Sequence, residues 1–210
     1  MKLYYAPGAC SLSPHIVSRE LGLPIELKKV NTKDKTVEGG GDYWKVNGRG
    51  YVPALELDNG QVLTEGPAIV QYLADQKPEA GLAPKAGSFE RYRLQEWLNF
   101  LTSEIHKQFS PLFKPNTPDE YKKIAKENIA TRFDWLDKQL AGKDYLLGRS
   151  FSVADAYLFV LLGWTKPTQI DLSRWPNLAA FHARVGARPK VQEALKAEGL
   201  LKDKAEAPTR

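Results

Sequence analysis

The chain has 210 residues, enough for one large domain or two small ones, and its 42% hydrophobic and 26% charged content, with five tryptophans, nine tyrosines and eight phenylalanines, excludes a disordered protein. A single cysteine rules out an internal disulfide framework, and three histidines beside it give no metal-ligand spacing, so a reducing, cytoplasmic setting without a metal is expected. The net charge of +5 would suit nucleic acid or an anionic small molecule, but cations and acids interleave along stretches such as DEYKKIAKENIATRFDWLDKQL, which reads as a solvated face rather than a nucleic-acid patch.

The N-terminus MKLYYAPGAC lacks the apolar run of a signal peptide, and KLYYA reads as a strand. SLSPHIVSRELG follows as a helix, IELKKVN as a second strand, and TVEGGGD as a polar, glycine-rich loop. A short helix is expected around DYWKVN, then two strands, ALEL and QVLT, joined by a tight turn at DNG, where Asn59-Gly60 tolerates positive φ. Pro67 suits an early helical position, so GPAIVQYLADQ is a helix. The order β-α-β-α-β-β-α within about eighty residues fits a thioredoxin-like layer of helices on a mixed sheet.

QKPEAGLAPKAGS reads as a connection, after which strand signals stop. The expected division is a sheet domain over 1–80, a linker over 81–87, an all-helical domain over 88–202 and a loose tail over 203–210. RYRLQEWLNFLTSEIHKQF places Leu94, Leu98, Leu101 and Ile105 on one helical stripe. Thr117-Pro118-Asp119-Glu120 predicts the next helix start, with Thr117 as cap, and Ser152-Val153-Ala154-Asp155 predicts a capping box before AYLFVLLGW. That run is almost wholly apolar and should be the central helix; it is too short, and carries Asp155, to cross a membrane. NLAAFHARVGARPKVQEALKAEG adds one or two helices.

Cys10 is either a small buried apolar residue or a reactive thiol. It falls between the first strand and the first helix, just after Pro7-Gly8 and before Ser11, Ser13 and Pro14, all suited to a helix start. The unpaired N–H groups and dipole of a helix terminus contribute roughly 0.3–2 kcal/mol, which would bring a thiol from about 8.5 toward 7 or 8. Further activation needs a second group. Asn99, Ser103, His106 and Lys107 form a polar stripe that either faces water or, if the first domain docks there, lines a groove. Val52, held extended before Pro53, offers its backbone to a peptide-like ligand or is a plain turn, and a trans bond is the default there. Glu65 either caps a helix or holds a ligand amine, with Gly66 admitting a carboxylate to backbone N–H groups.

These segments, from MKLYYAPGACSLSPH through YVPALELDNGQVLTEGPAIVQYLAD, EWLNFLTSEIHKQFSPLF and FSVADAYLF to near LKAEGLLK, resemble bacterial glutathione S-transferases of the beta class in order and over nearly the whole chain. The resemblance implies a thioredoxin-like N-terminal domain followed by an all-helical domain, a homodimer, and glutathione as cosubstrate in the cleft between domains. Cys10 then matches the cysteine that forms a mixed disulfide with glutathione, and Val52, before a cis proline, pairs with its cysteinyl part. Glu65 and Gly66 match the γ-glutamyl site and Lys35 the glycine carboxylate contact. Asn99, Ser103, His106 and Lys107 supply the second-domain wall, with His106 nearest in role to the reactive sulfur.

Asn47-Gly48-Arg49-Gly50 departs from the usual Asn-Pro, which implies a more mobile loop, and Gly66 replaces a serine common in other classes. Tyr5 and Ser11 lie near positions where other classes use a hydroxyl, so either is an auxiliary candidate. His15 and His182 read as surface or packing residues. The implied activity is conjugation of glutathione to hydrophobic, soft electrophiles, as in detoxification, with thiol-disulfide exchange through Cys10 beside it. The alternative is a non-catalytic binding or regulatory protein on the same fold. Trp164 to Pro167 and Phe109 to Phe113 either wall a pocket for the electrophile or serve as core or dimer contacts.

Overall fold

The computed structural model describes residues 1–201. The five-stranded sheet has the order β3-β2-β1-β4-β5. Its central strand β1 (Lys2–Tyr5) buries Leu3, Tyr4 and Tyr5, because both neighbours and both faces are covered. β2 (Glu26–Asn31) runs parallel to it, and that pairing requires the crossover helix α1 (Leu12–Leu21). β4 (Ala54–Glu56) and β5 (Val62–Thr64) add the antiparallel hairpin, and α2 (Gly66–Asp75) packs Ile69, Val70, Leu73 and Ala74 into the core.

The stretch read as a loop contains β3 (Thr36–Val37), paired with β2 but too short to show alternation, which corrects that expectation, while the short helix expected around DYWKVN is present as one 3-10 turn at Tyr43–Lys45. In the hairpin, only Gly60 takes a positive φ (81°) while its N–H bonds Leu57 O at 2.9 Å, so Asn59 does not use its tolerance for that region.

Eight α-helices occur among the described residues. Those of the second half are α3 (Phe89–Phe100), α4 (Lys107–Phe113), α5 (Asp119–Leu140), α6 (Val153–Gly163), α7 (Pro176–Gly186) and α8 (Pro189–Ala197). Leu94, Leu98, Leu101 and Ile105 are buried as the stripe predicted. The single helix expected there is instead interrupted by a π-helical turn, Leu101–His106, in which Lys107 N–H reaches Thr102 O. Thr117 does not cap α5: Pro118 takes the cap position and no side chain bonds there.

α6 buries every residue from Val153 to Leu162 and packs against α1, α2, α3 and α7, which makes it the centre of the molecule. Its capping box forms as expected. Asp155 accepts Ser152 N–H and Oγ–H at 2.8 and 2.7 Å, and also Leu146 N–H at 2.8 Å from the preceding loop. The segment between α2 and α3 is tied down: Leu82 is buried, its carbonyl accepts Val153 N–H at 2.9 Å, and buried Arg91 pairs with Asp75 and donates to Pro84 O at 2.7 Å. The expected tail 203–210 lies outside the described residues. Among those described, no helix is long and apolar enough to cross a membrane.

Candidate active site

The chain leaves β1 through a turn in which Gly8 takes a φ of 71°, and enters α1 directly after Cys10. Ser11 is fully buried and its hydroxyl bonds both the N–H and the carbonyl of Ala6 at 3.1 and 3.2 Å, which fixes the loop's shape. Tyr5 is also buried, against the His15 ring at 6.2 Å.

From the other domain, Trp164 Nε1–H donates to Gly8 O at 2.8 Å. Glu198, just past α8, accepts Gly8 N–H at 2.9 Å and pairs with His15 at 2.8 Å, both of these side chains being at most 1% exposed. Arg19 Nε–H donates to His15 Nε2 at 3.3 Å, which leaves Nδ1–H for Glu198. His15 is therefore a packing residue and not a surface one. His182, half-buried, stacks on Phe159 at 4.6 Å.

Cys10 is partly exposed and its Sγ–H donates to Val52 O at 3.3 Å. The expected thiol near 7 or 8 is overturned: burial pushes Cys10 up to about 12, and Glu65 adds to the rise, while the N–H groups of Cys10 and Ser11 and the charge of Lys107 pull it down. The helix start acts in the anticipated direction but burial outweighs it.

The Val52-Pro53 bond is cis, against the default and in line with the resemblance. The loop before it is anchored rather than loose. Buried Asn47 donates to Tyr51 O at 2.8 Å and accepts Arg49 N–H at 3.1 Å, and Tyr43 Oη–H donates to the same carbonyl at 2.7 Å. Gly50 has a φ of 66°, and a Cβ there would stand 2.7 Å from the Trp44 ring, so no larger residue fits without displacement. Lys35 reaches Gly50 O at 2.8 Å, with the Trp44 and Tyr51 rings each 5.8 Å from its ammonium.

Glu65 has a φ of 70°, unusual for a residue with a side chain. It stands at the start of α2 but does not cap it; its carboxylate meets Arg49 at 2.8 Å, the two side chains being 64% and 62% exposed. Such an exposed pair contributes little to stability. Gly66 follows as the first residue of α2, against Pro53.

On the helical side Asn99, Ser103 and Lys107 are exposed, and Ser103 Oγ–H donates to Asn99 O at 3.1 Å. His106 is half-buried: its Nδ1 lies 2.6 Å from Tyr157 Oη and its ring packs edge-on to Trp164 at 4.8 Å. Cys10, Val52, Glu65 and Lys107 thus share one region, and Trp164 links His106 to the Cys10 loop. Lys35 lies beyond Tyr51, and the Ser11 hydroxyl is spent on Ala6. Phe109 is fully buried core and not an exposed pocket wall, whereas Phe113 is half exposed and packs on Trp164 at 5.5 Å.

Burial, with Lys107 adding to it, lowers His106 from 6.5 to about 4. The unfolded chain therefore takes up this proton as pH falls through 6.5, while the folded protein resists until about 4. Stability present above pH 6.5 is lost across that window, by roughly 3 kcal/mol. Melting temperatures followed from pH 7 to 4 should fall less steeply for His106→Asn than for the parent; parallel curves would show that His106 is not held neutral.

The mixed sheet, the cis Val52-Pro53 turn beside a thiol and the helical domain closing over both define a thioredoxin-like protein with a second, helical domain. Residues 8–76 match the family model "Glutathione S-transferase, N-terminal domain" and residues 100–189 match "Glutathione S-transferase, C-terminal domain". The chain is 46% identical over 200 residues to glutathione S-transferase GstA of Escherichia coli O157:H7, covering 95% of this chain and 100% of the relative. Two solved glutathione S-transferases, a sphingomonad protein in complex with glutathione and the bacterial beta class protein of Sphingomonas chungbukensis, each superpose with a TM-score of 0.93 at 52% identity, covering 96% of this chain and 100% of theirs. The chain belongs to the glutathione S-transferase family.

Sequence reasoning passed over Arg49, Tyr157 and Glu198. Tyr157 hides in an apolar run whose only signal was one hydroxyl with no neighbour in sequence to satisfy it.

Proposed function

We propose that this protein is a glutathione transferase of the beta class, joining the sulfur of glutathione to a soft, hydrophobic electrophile. The observation that carries this reading is the Cys10 thiol donating to the carbonyl of Val52, beside the strained Glu65. An extended tripeptide laid along Val52 would pair with its backbone and bring its own thiol to Cys10. Its α-amino group would meet Glu65, its γ-glutamyl carboxylate the N–H groups from Gly66 onward, and its glycine carboxylate Lys35. Asn99, Ser103, His106 and Lys107 would close the helical side.

In conjugation the glutathione thiolate attacks, a carbon–sulfur bond forms, and the leaving group departs with its electron pair. A Cys10 thiol held protonated, as burial favours, suits a donor that hydrogen-bonds the ligand's thiolate. Thiol-disulfide exchange asks Cys10 to be the thiolate itself, and is the secondary activity. A homodimer fits the aromatic cluster of Trp97, Phe100 and Trp135, of which Trp135 is exposed and the other two are half-buried, with the Phe100–Trp135 centroids 4.9 Å apart. A cytoplasmic detoxifying role, with the domains meeting at 81–87, completes the reading.

The test is retention on immobilised glutathione together with turnover of an aryl halide. Retention with turnover is expected. Retention without turnover of any electrophile or disulfide would make it a binding protein, and loss of both would reject the glutathione site.

A further inference from the structure

Glu65 does not stand alone in the groove. Arg49 Nη1–H donates to Glu65 Oε1 at 2.8 Å, and the same nitrogen lies 3.4 Å from Thr64 Oγ1. Among the described residues, Glu65 Oε2 and the Nε and Nη2 protons of Arg49 make no hydrogen bond. One free acceptor oxygen therefore stands beside a fork of free donors, on side chains that are 64% and 62% exposed. The backbone that carries Arg49 is fixed: Asn47 Oδ1 accepts Arg49 N–H at 3.1 Å, Gly50 N–H donates to Asn47 O at 2.8 Å, and Lys35 holds Gly50 O. The charge of Glu65 acts on the Cys10 thiol, so the pair opens on the same groove.

We propose that Arg49 is a specificity-determining residue of the γ-glutamyl subsite: beside Glu65 it makes that subsite accept an amino-acid head, an ammonium and a carboxylate on one carbon, and disfavour a simple amine. This inference rests on the reading of Glu65 as the holder of the ligand's α-amino group. An ammonium at Oε2 has the guanidinium as its neighbour across the carboxylate, and the two like charges repel. A ligand that brings only the amine bears that repulsion in full. In glutathione the α-carboxylate sits on the same carbon, where it offsets the repulsion and offers acceptors to the Nε–H and Nη2–H fork, whose planar geometry suits a carboxylate. The N–H groups from Gly66 onward meet that carboxylate with or without Arg49, whereas the penalty on a bare amine comes from Arg49. Discrimination is a difference of affinities, and Arg49 contributes to both sides of it.

The test is calorimetric binding of three S-methylated tripeptides to the full-length protein: S-methylglutathione, its γ-aminobutyryl analogue, which lacks the α-carboxylate, and its glutaryl analogue, which lacks the α-ammonium. S-methylation keeps the ligands from forming a disulfide with Cys10. In Arg49→Gln the preference for S-methylglutathione over the γ-aminobutyryl analogue should fall roughly three- to tenfold relative to the parent, the scale of one exposed, charge-assisted contact. Part of that change should be tighter binding of the γ-aminobutyryl analogue by the variant than by the parent, which damage to the fold would not produce. The variant should melt within about 3 °C of the parent, because the pair is exposed. An unchanged preference, with the glutaryl analogue bound weakly by both proteins, would overturn the role of Arg49 and leave the reading of Glu65 in place. A glutaryl analogue bound by the parent as tightly as S-methylglutathione would remove the amine-holding role of Glu65 and this proposal with it.

Discussion

Replacing Cys10 with serine is expected to abolish both the mixed disulfide with glutathione and disulfide reduction, while conjugation stays within roughly tenfold of the parent, because the hydroxyl retains a donor for the ligand's thiolate. Cys10→Ala retains no donor and should lose roughly ten- to a hundredfold, the value of one hydrogen bond to a charged group. The order parent, serine, alanine for conjugation, with an all-or-none loss for exchange, would separate the two chemistries. It follows from the Sγ–H contact to Val52 O at 3.3 Å and from a thiol that burial pushes up to about 12. Mass spectrometry after treatment with oxidised glutathione, alongside conjugation rates, checks it. Equal loss of conjugation in both variants would mean that the sulfur itself takes part as nucleophile.

Asp155→Ala should produce the largest loss of stability of any single change considered. The carboxylate joins the start of α6 to the loop at Leu146 through three hydrogen bonds of 2.7–2.8 Å in a fully buried setting. Alanine would strand two backbone N–H groups and a hydroxyl away from water, at roughly 3–5 kcal/mol, or a fall in melting temperature on the order of 10 °C. Because α6 packs against helices of both domains, the loss should appear as one cooperative shift in a thermal melt followed by circular dichroism. A change under about 1 kcal/mol would show that water readily replaces the carboxylate.

Much of this architecture was legible because its signals are local. The strand at KLYYA, the proline of GPAIVQYLADQ and the Ser152–Asp155 box each lie within one element, and each formed as read. The failures share a different cause. β3 is two residues long, and the π turn at Leu101–His106 leaves the apolar stripe intact, so periodicity shows neither. In the site, residue types carried Cys10, Glu65 and His106 into view, but energetic balances and distant partners did not follow from spacing. Burial against helix terminus at Cys10, the turning of Glu65 to Arg49, and the contacts of Tyr157 with His106 and Glu198 with His15 depend on residues that only the fold brings together. The anchoring of the loop at Asn47 likewise rests on Tyr43 and Tyr51 rather than on the missing proline.

The proposed function requires the groove to stabilise negative charge on the sulfur of bound glutathione, with Cys10 serving as donor rather than as the ionised group. Its most direct test is the ultraviolet absorbance of thiolate in the Cys10→Ser protein saturated with glutathione, followed as pH is raised. A thiolate that appears at least one pH unit below the titration of free glutathione, and in proportion to bound ligand, is the predicted result. Ionisation at the same pH as in free solution would contradict it.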